Sequence, residues 1–176
     1  GEEWRRLVRA ATVGETYFFR HPDQLRAIAR FAGELATRRG RPLAVWSAGC
    51  ATGEEAYTLA ILLAEAGLAA EVVGTDVNDE ALERARAAWG FSDRSAGHMP
   101  ADLRARWLAP DGGRWRIPRV GELRVTFTLH NVARDATPRA PTPDGRFDLV
   151  VCRNVLLYFP EAVVRDVVAR LLAVVA

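Results

Sequence analysis

Two stretches of this sequence combine residue types and spacing suited to chemistry. Ser47-Ala48-Gly49-Cys50-Ala51-Thr52-Gly53 is a loop of small residues followed at once by Glu54 and Glu55, and Asp76 stands 23 residues beyond Gly53. A strand, a glycine-containing turn, a helix and an acid closing the next strand describe a nucleotide-type site at the carboxyl edge of a parallel sheet. A dinucleotide site asks for G-x-G-x-x-G, so that backbone amides and a helix N-terminus hold a pyrophosphate. This loop has only Gly49 and Gly53, and it puts Glu54 and Glu55 where the diphosphate would sit. Two carboxylates repel an anion and favour a cation. S-adenosylmethionine carries a sulfonium, an ammonium and a ribose but no phosphate, so it suits this loop better, with Asp76 placed to accept hydrogen bonds from the ribose hydroxyls. A plainer role competes: Thr52 and Glu55 also fit the S/T-x-x-E capping box, in which Glu55 would return to the Thr52 amide.

The surrounding elements must position these groups. Leu43 to Trp46 reads as a short apolar strand, Glu54 to Glu65 as a helix, Glu71 to Thr75 as a second strand and Asn78 to about Ala88 as a second helix. Near-continuous apolar strands alternating with helices predict a parallel sheet buried on both faces, in a doubly wound α/β fold. Upstream, two amphipathic helices are separated by Thr16-Tyr17-Phe18-Phe19-Arg20-His21-Pro22. The second starts at Pro22 or Asp23 and carries Leu25, Ile28, Ala29, Ala32 and Leu35 at helical spacing. Residues 1–40 are thus expected to be a helical segment and residues 41–176 the main domain. Glycines and prolines punctuate residues 89–122, which read as a small inserted β-subdomain with one helix near Asp102 to Leu108 and short strands near Arg114 to Ile117. Strands return at Leu123 to Leu129 and Phe147 to Cys152, and a final helix covers about Glu161 to Val174. Four sheet strands are fewer than the five or more usual for this architecture, so a core fragment with later strands missing is expected.

Composition excludes several classes. The 176 residues are 49% hydrophobic and 26% charged, which is ordinary for a globular protein and unlike a disordered one. No apolar run approaches the roughly 20 residues of a bilayer span, so a cytoplasmic protein without membrane insertion is expected. Two cysteines point to reduced thiols in packed positions. A formal charge of +2 argues against nucleic acid as the partner. All 24 basic residues are Arg, which removes Schiff-base lysine chemistry and phosphate-loop mechanics. His21, His98 and His130 share no ligand spacing with Cys50 or Cys152, so no metal site is expected.

Four motifs in order then define a resemblance. Glu15-Thr16-Tyr17-Phe18-Phe19-Arg20, Trp46 to Tyr57, Gly74-Thr75-Asp76-Val77-Asn78 and Phe147 to Phe159 resemble the CheR-type chemotaxis receptor methyltransferases over nearly the whole chain. The resemblance implies a Rossmann-like fold and a protein-glutamate O-methyltransferase that uses S-adenosylmethionine to esterify receptor glutamates. Carried over by position, it implies Thr16 and Arg20 near the methionine end of the cofactor, Glu55 in the loop after the first strand, and Asp76 on the ribose. Asn131 and Val132 fall near the adenine, Arg153 and Asn154 at the end of the fourth strand, and Tyr158 close to the transferred methyl. Arg20 or Arg153 would clamp the acceptor carboxylate and Tyr158 would orient it, making these three the catalytic candidates. Where the family's first motif usually has Asn, this chain has Gly14, which removes a potential cofactor hydrogen bond.

A glutamate acceptor has a reference pKa near ~4.3, so it is already an anionic nucleophile at neutral pH and needs no general base. Alignment and exclusion of water are the remaining tasks. The implied partners are the cytoplasmic methylation helices of chemotaxis receptors. Nine Arg against five acids in the first 41 residues offer a complementary face, or merely a solvated one. The short Asp111-Gly112-Gly113 turn leads to the expectation that the enzyme does not depend on binding a receptor tail peptide. Two other readings keep the cofactor: a different acceptor, and a catalytically weak signalling module.

Overall fold

The computed structural model describes Glu3 and residues 15–176. Gly14, the expected first helix and Arg5, Arg6 and Arg9 lie outside the described residues. Four strands form one parallel sheet: β1 (Leu43–Ala48), β2 (Ala70–Asp76), β6 (Val125–Leu129) and β7 (Leu149–Val151), in the order β6-β2-β1-β7. Val45 pairs with Val72 on one side and Leu149 on the other, and Val72 pairs with Val125. All six residues of β1 are buried, as a central parallel strand requires. Its side chains alternate: Leu43 and Val45 enter the core beneath α1 (Pro22–Arg39) and α2 (Glu54–Glu65), while Ala44, Trp46 and Ala48 pack on the opposite face with Phe147.

The sequence pattern sets most boundaries. Helix α1 opens with Pro22 and ends at Gly40, whose φ of 61° closes it in the left-handed region. Helix α3 (Asp79–Ala87) is capped by Asn78, whose side chain accepts from the Ala81 N–H. Helix α6 (Glu161–Ala173) buries Val167 and sets Leu171 against the cluster of Trp46 and Phe147. Strand β7 is shorter than the expected Phe147 to Cys152, and Phe147 instead bridges in parallel to Val175. Strand β6 begins at Val125, after a 3₁₀ turn over Val120–Glu122.

Residues 89–122 hold more strand than the sequence indicated. Strands β3 (Trp89–Phe91), β4 (Ala109–Asp111) and β5 (Arg114–Arg116) form an antiparallel sheet in the order β3-β5-β4, with α4 (Asp93–Gly97) and α5 (Ala101–Trp107) between β3 and β4. Gly112 and Gly113, at φ 56° and 76°, supply the two positive-φ residues of a tight hairpin between β4 and β5. Pro110 is tolerated because β4 lies at the sheet edge. Phe91, Met99, Trp107, Leu108 and Ile117 join the same core as Phe18, Leu25 and Leu59, so this segment has no separate interior.

The end of α1 is locked to the sheet by charge. The buried Asp148 carboxylate pairs with Arg39 at 2.8 Å and Arg41 at 2.7 Å, and also accepts the Ala44 N–H at 2.8 Å. Two Arg of the basic first 41 residues are therefore spent inside the fold, and Arg26 pairs locally with Asp23.

Candidate cofactor and active site

The turn from β1 to α2 is built over the end of β2. The N–H groups of Gly49 and Cys50 both donate to the Thr75 carbonyl, at 2.7 and 2.9 Å. Gly49 is required twice: its φ is 81°, and a Cβ there would lie 2.3 Å from Val155 Cγ2. The Asp76 carboxylate holds the turn from below, accepting the Ala51 N–H on Oδ2 and the Asn78 N–H on Oδ1, each at 2.9 Å.

Glu55 does not close a capping box. Its Oε1 accepts from Ser47 Oγ at 2.7 Å and its Oε2 from Arg153 Nε at 2.8 Å, while the N-cap of α2 is Gly53. Burial pushes the Glu55 carboxyl up, and the Arg153 guanidinium opposes that shift. The two adjacent carboxylates part company here. Glu54 turns away, accepting from Thr52 Oγ1 at 2.6 Å and from Ser95 Oγ of α4 at 3.2 Å. Burial raises its pKa as well. Only Glu55 of the pair faces the site, so the cation preference read from both rests on one.

Arg153 commits its fork to the protein: besides Glu55, its Nη1 donates to the Arg20 carbonyl at 2.6 Å and to Gln24 Oε1 at 3.3 Å. Arg20 donates from Nη1 to the Glu15 carbonyl at 2.8 Å, and its guanidinium sits 5.3 Å from the centre of the Tyr17 ring. Tyr17 in turn stacks on His98 with ring centres 4.0 Å apart. The Arg20 Nε is buried and has no hydrogen-bond partner among the described residues.

These groups surround one cavity of about 370 Å³ over the carboxyl edge of the sheet. Gly49 lines it from the turn after β1, Glu55 from the first turn of α2 and Asp76 from the end of β2. Thr16, Tyr17 and Arg20 close it from the N-terminal side, and Asn131 and Val132 from the loop after β6. Arg153, Asn154 and Tyr158 come from the segment after β7, with Asn154 at φ 57° and Tyr158 on an exposed 3₁₀ turn (Leu156–Tyr158). Every candidate site residue named from the sequence thus lines the same space. Sequence reasoning left out Tyr17 and His130, which line it too. Tyr17 was legible only as one of three adjacent aromatics, two of which, Phe18 and Phe19, are core. His130 lies edge-on to Trp46, and burial pulls its pKa down. Cys50 and Cys152 are free thiols raised by burial, Cys152 to about 11. Among the described residues no cluster of three or more His, Cys, Asp or Glu side chains could hold a metal ion, and no helix is long and apolar enough to cross a membrane.

The donor set fits a nucleoside with an amino-acid tail. Asp76 and Glu55 are acceptors for hydroxyl and ammonium groups, and the orphaned Arg20 Nε is a donor without a partner among the described residues. A parallel doubly wound sheet with such a cavity at its carboxyl edge, and without a diphosphate-binding glycine triad, defines a domain of the S-adenosylmethionine-dependent methyltransferase class. A family model described as CheR methyltransferase, SAM binding domain, matches residues 14–176, and the chain belongs to this family. Its cofactor is S-adenosylmethionine. The chain is 37% identical over 166 residues to an uncharacterized 104.1 kDa protein of Rhodobacter capsulatus, covering 89% of this chain and 17% of that protein. It is 32% identical over 176 residues to the chemotaxis protein methyltransferase of Salmonella typhimurium, covering 96% of this chain and 58% of the relative. A probable biofilm formation methyltransferase of Pseudomonas putida is 36% identical over 165 residues, covering 90% of this chain and 38% of the relative. The chain thus spans well under two thirds of the length of these relatives.

Proposed function

We propose that the chain transfers a methyl group from S-adenosylmethionine to glutamate side chains of methyl-accepting chemotaxis receptors, forming methyl esters. The observation that carries this reading is the convergence of Thr16, Arg20, Glu55, Asp76, Asn131, Val132, Arg153, Asn154 and Tyr158 on one cavity from separate stretches of chain. Membership of the family and the likeness to the Salmonella chemotaxis methyltransferase support the same reaction.

When bound, the cofactor supplies an electrophilic methyl on a sulfonium. The protein's residues then have positioning tasks. Asp76 would hold the ribose end and Glu55 the ammonium of the methionine end. Arg153 orients Glu55 through its Nε, and its Nη2 is the part of the fork left for the acceptor carboxylate. Arg20 and Tyr158 line the same cavity, Tyr158 at its exposed mouth, and would orient the acceptor carboxylate. A carboxylate acceptor is already ionised at neutral pH, so no proton need be removed from it.

In this reading residues 41–176 form the cofactor domain, with 89–122 inserted, and residues 15–40 supply one wall of its site. The partner is a receptor methylation helix in the cytoplasm. A tail-peptide tether is not required: the β4 edge is three residues long and carries Pro110. A second reading keeps the cofactor with a different acceptor; one relative, in Pseudomonas putida, is named for biofilm formation rather than chemotaxis.

Transfer of radiolabelled methyl from S-adenosylmethionine to a receptor cytoplasmic fragment tests the proposal. Label is expected on the fragment with its glutamates intact and absent when they are replaced by Ala. A chain that binds S-adenosylhomocysteine but labels neither fragment points to the other acceptor or to a signalling role.

A further inference from the structure

The loop that follows β6 is held by its own hydrogen bonds and by a residue of α6. Within residues 131–136, the Asn131 carbonyl accepts the N–H groups of Arg134 and Asp135 at 3.0 and 2.9 Å, and Asn131 Oδ1 accepts that of Ala133 at 2.9 Å. Asp135 Oδ2 takes the Asn131 N–H at 2.7 Å. The carbonyls of Ala133, Asp135 and Ala136 point outward from this turn and are met by side chains from elsewhere. Arg170 donates from Nη2 to Ala133 O at 2.8 Å and from Nη1 to Asp135 O at 3.2 Å. His130 Nε2 reaches Ala136 O at 3.1 Å, and since a carbonyl can only accept, that nitrogen carries the proton.

We propose that Arg170 is a positioning residue for the purine end of the cofactor, acting through the 131–136 turn; the inference rests on the cofactor reading above. A planar guanidinium presents two N–H groups at fixed spacing, which suits two carbonyls of one turn in a way an ammonium cannot. Helix α6 is itself anchored, with Val167 buried and Leu171 packed against the Trp46 and Phe147 cluster, so the fork projects from a rigid base. The turn it holds presents Asn131 and Val132 to the cavity, beside Asp76 at the end of the neighbouring strand. Arg170 does not line the cavity. Its effect is therefore on where the loop holds the base, and not on contact with the ligand.

Calorimetry with two ligands separates this role from a general structural one. S-adenosylhomocysteine carries the purine; S-ribosylhomocysteine lacks it and shares the rest. Arg170→Leu is expected to weaken S-adenosylhomocysteine about tenfold, the scale of two lost charge-assisted hydrogen bonds partly replaced by water. Binding of S-ribosylhomocysteine should stay within about twofold. Arg170→Lys, which keeps the charge and one donor direction, should fall between wild type and Arg170→Leu, and it carries the same comparison if the leucine variant does not fold. Equal weakening of both ligands, or unchanged binding of S-adenosylhomocysteine, would overturn the proposal. A wild-type chain that binds neither ligand would instead overturn the cofactor reading on which it rests.

Discussion

The two ends of the cavity are built by different means. At the ribose and purine end, polar side chains are tied into local backbone turns: Asp76 accepts the Ala51 and Asn78 N–H groups, and Asn131 accepts that of Ala133 two residues on. At the other end, side chains pair across long stretches of sequence, Arg153 with Glu55 and with the Arg20 carbonyl, leaving Arg20 Nε unsatisfied. The first end is shaped mainly by backbone geometry. The second is an ionic network held in a largely dry setting, with the Arg153 and Glu55 side chains 13% and 11% exposed. Loss of a side chain should therefore cost less folding stability at the local end than at the networked end.

The largest effect is expected from Glu55→Ala. It leaves a mostly buried guanidinium without its countercharge, so stability should fall by about 3 kcal/mol, and chemical denaturation measures it. Asn131→Ala removes one acceptor of a surface turn and should cost about 1 kcal/mol. Equal costs for the two would break the comparison. Gly49→Ala tests the backbone contribution that both ends share. The positive φ and the contact with Val155 together predict a loss of about 2 to 3 kcal/mol, part of which Val155→Ala should restore in the double variant by removing the collision but not the strain.

Glu54 sharpens the contrast from outside the cavity. Burial raises its pKa, so in the window between the ordinary carboxylate value and the raised one the native state holds a proton that the unfolded chain has lost. Its contribution to stability is present below the unfolded value and is lost as pH rises through the folded one. Glu54→Gln keeps an acceptor for Thr52 without the buried charge. It should be about 1 kcal/mol more stable than wild type at pH 7, with the advantage disappearing below about pH 4. Thermal melts across that range check the sign, and a constant difference at every pH would contradict it. The smallest effect concerns Cys152. Burial, then the neighbouring Glu55 charge, raises its thiol to about 11, so a disulfide reagent at pH 8 should label it slowly in the native state and rapidly after unfolding.

Local patterns carried most of the fold. The helix Glu54–Glu65 and the last helix to within a residue, the two central strands and their parallel arrangement were legible because apolar periodicity, Pro22 as a helix start and Asn78 as the opening of the next are all short-range signals. Strands β3 and β4 were not. Each is three residues long, one containing Gly90 and the other Pro110, and each exists only because β5 pairs with it. The candidate residues of the site were legible as motifs, but their partners were not. Nothing within Glu54-Glu55 says which carboxylate turns toward the cavity, since that is decided by Arg153, 98 positions away, and by Ser95 of the inserted segment. Arg39 and Arg41 likewise looked like part of a basic surface until the buried Asp148 appeared between them.

The central claim is that the cavity over Asp76 holds S-adenosylmethionine. Titration calorimetry of S-adenosylhomocysteine into the chain and into its Asp76→Ala variant tests it most directly. Saturable binding at a single site, weakened at least about tenfold by the substitution, is the expected result. Wild-type binding that Asp76→Ala leaves unchanged would contradict it.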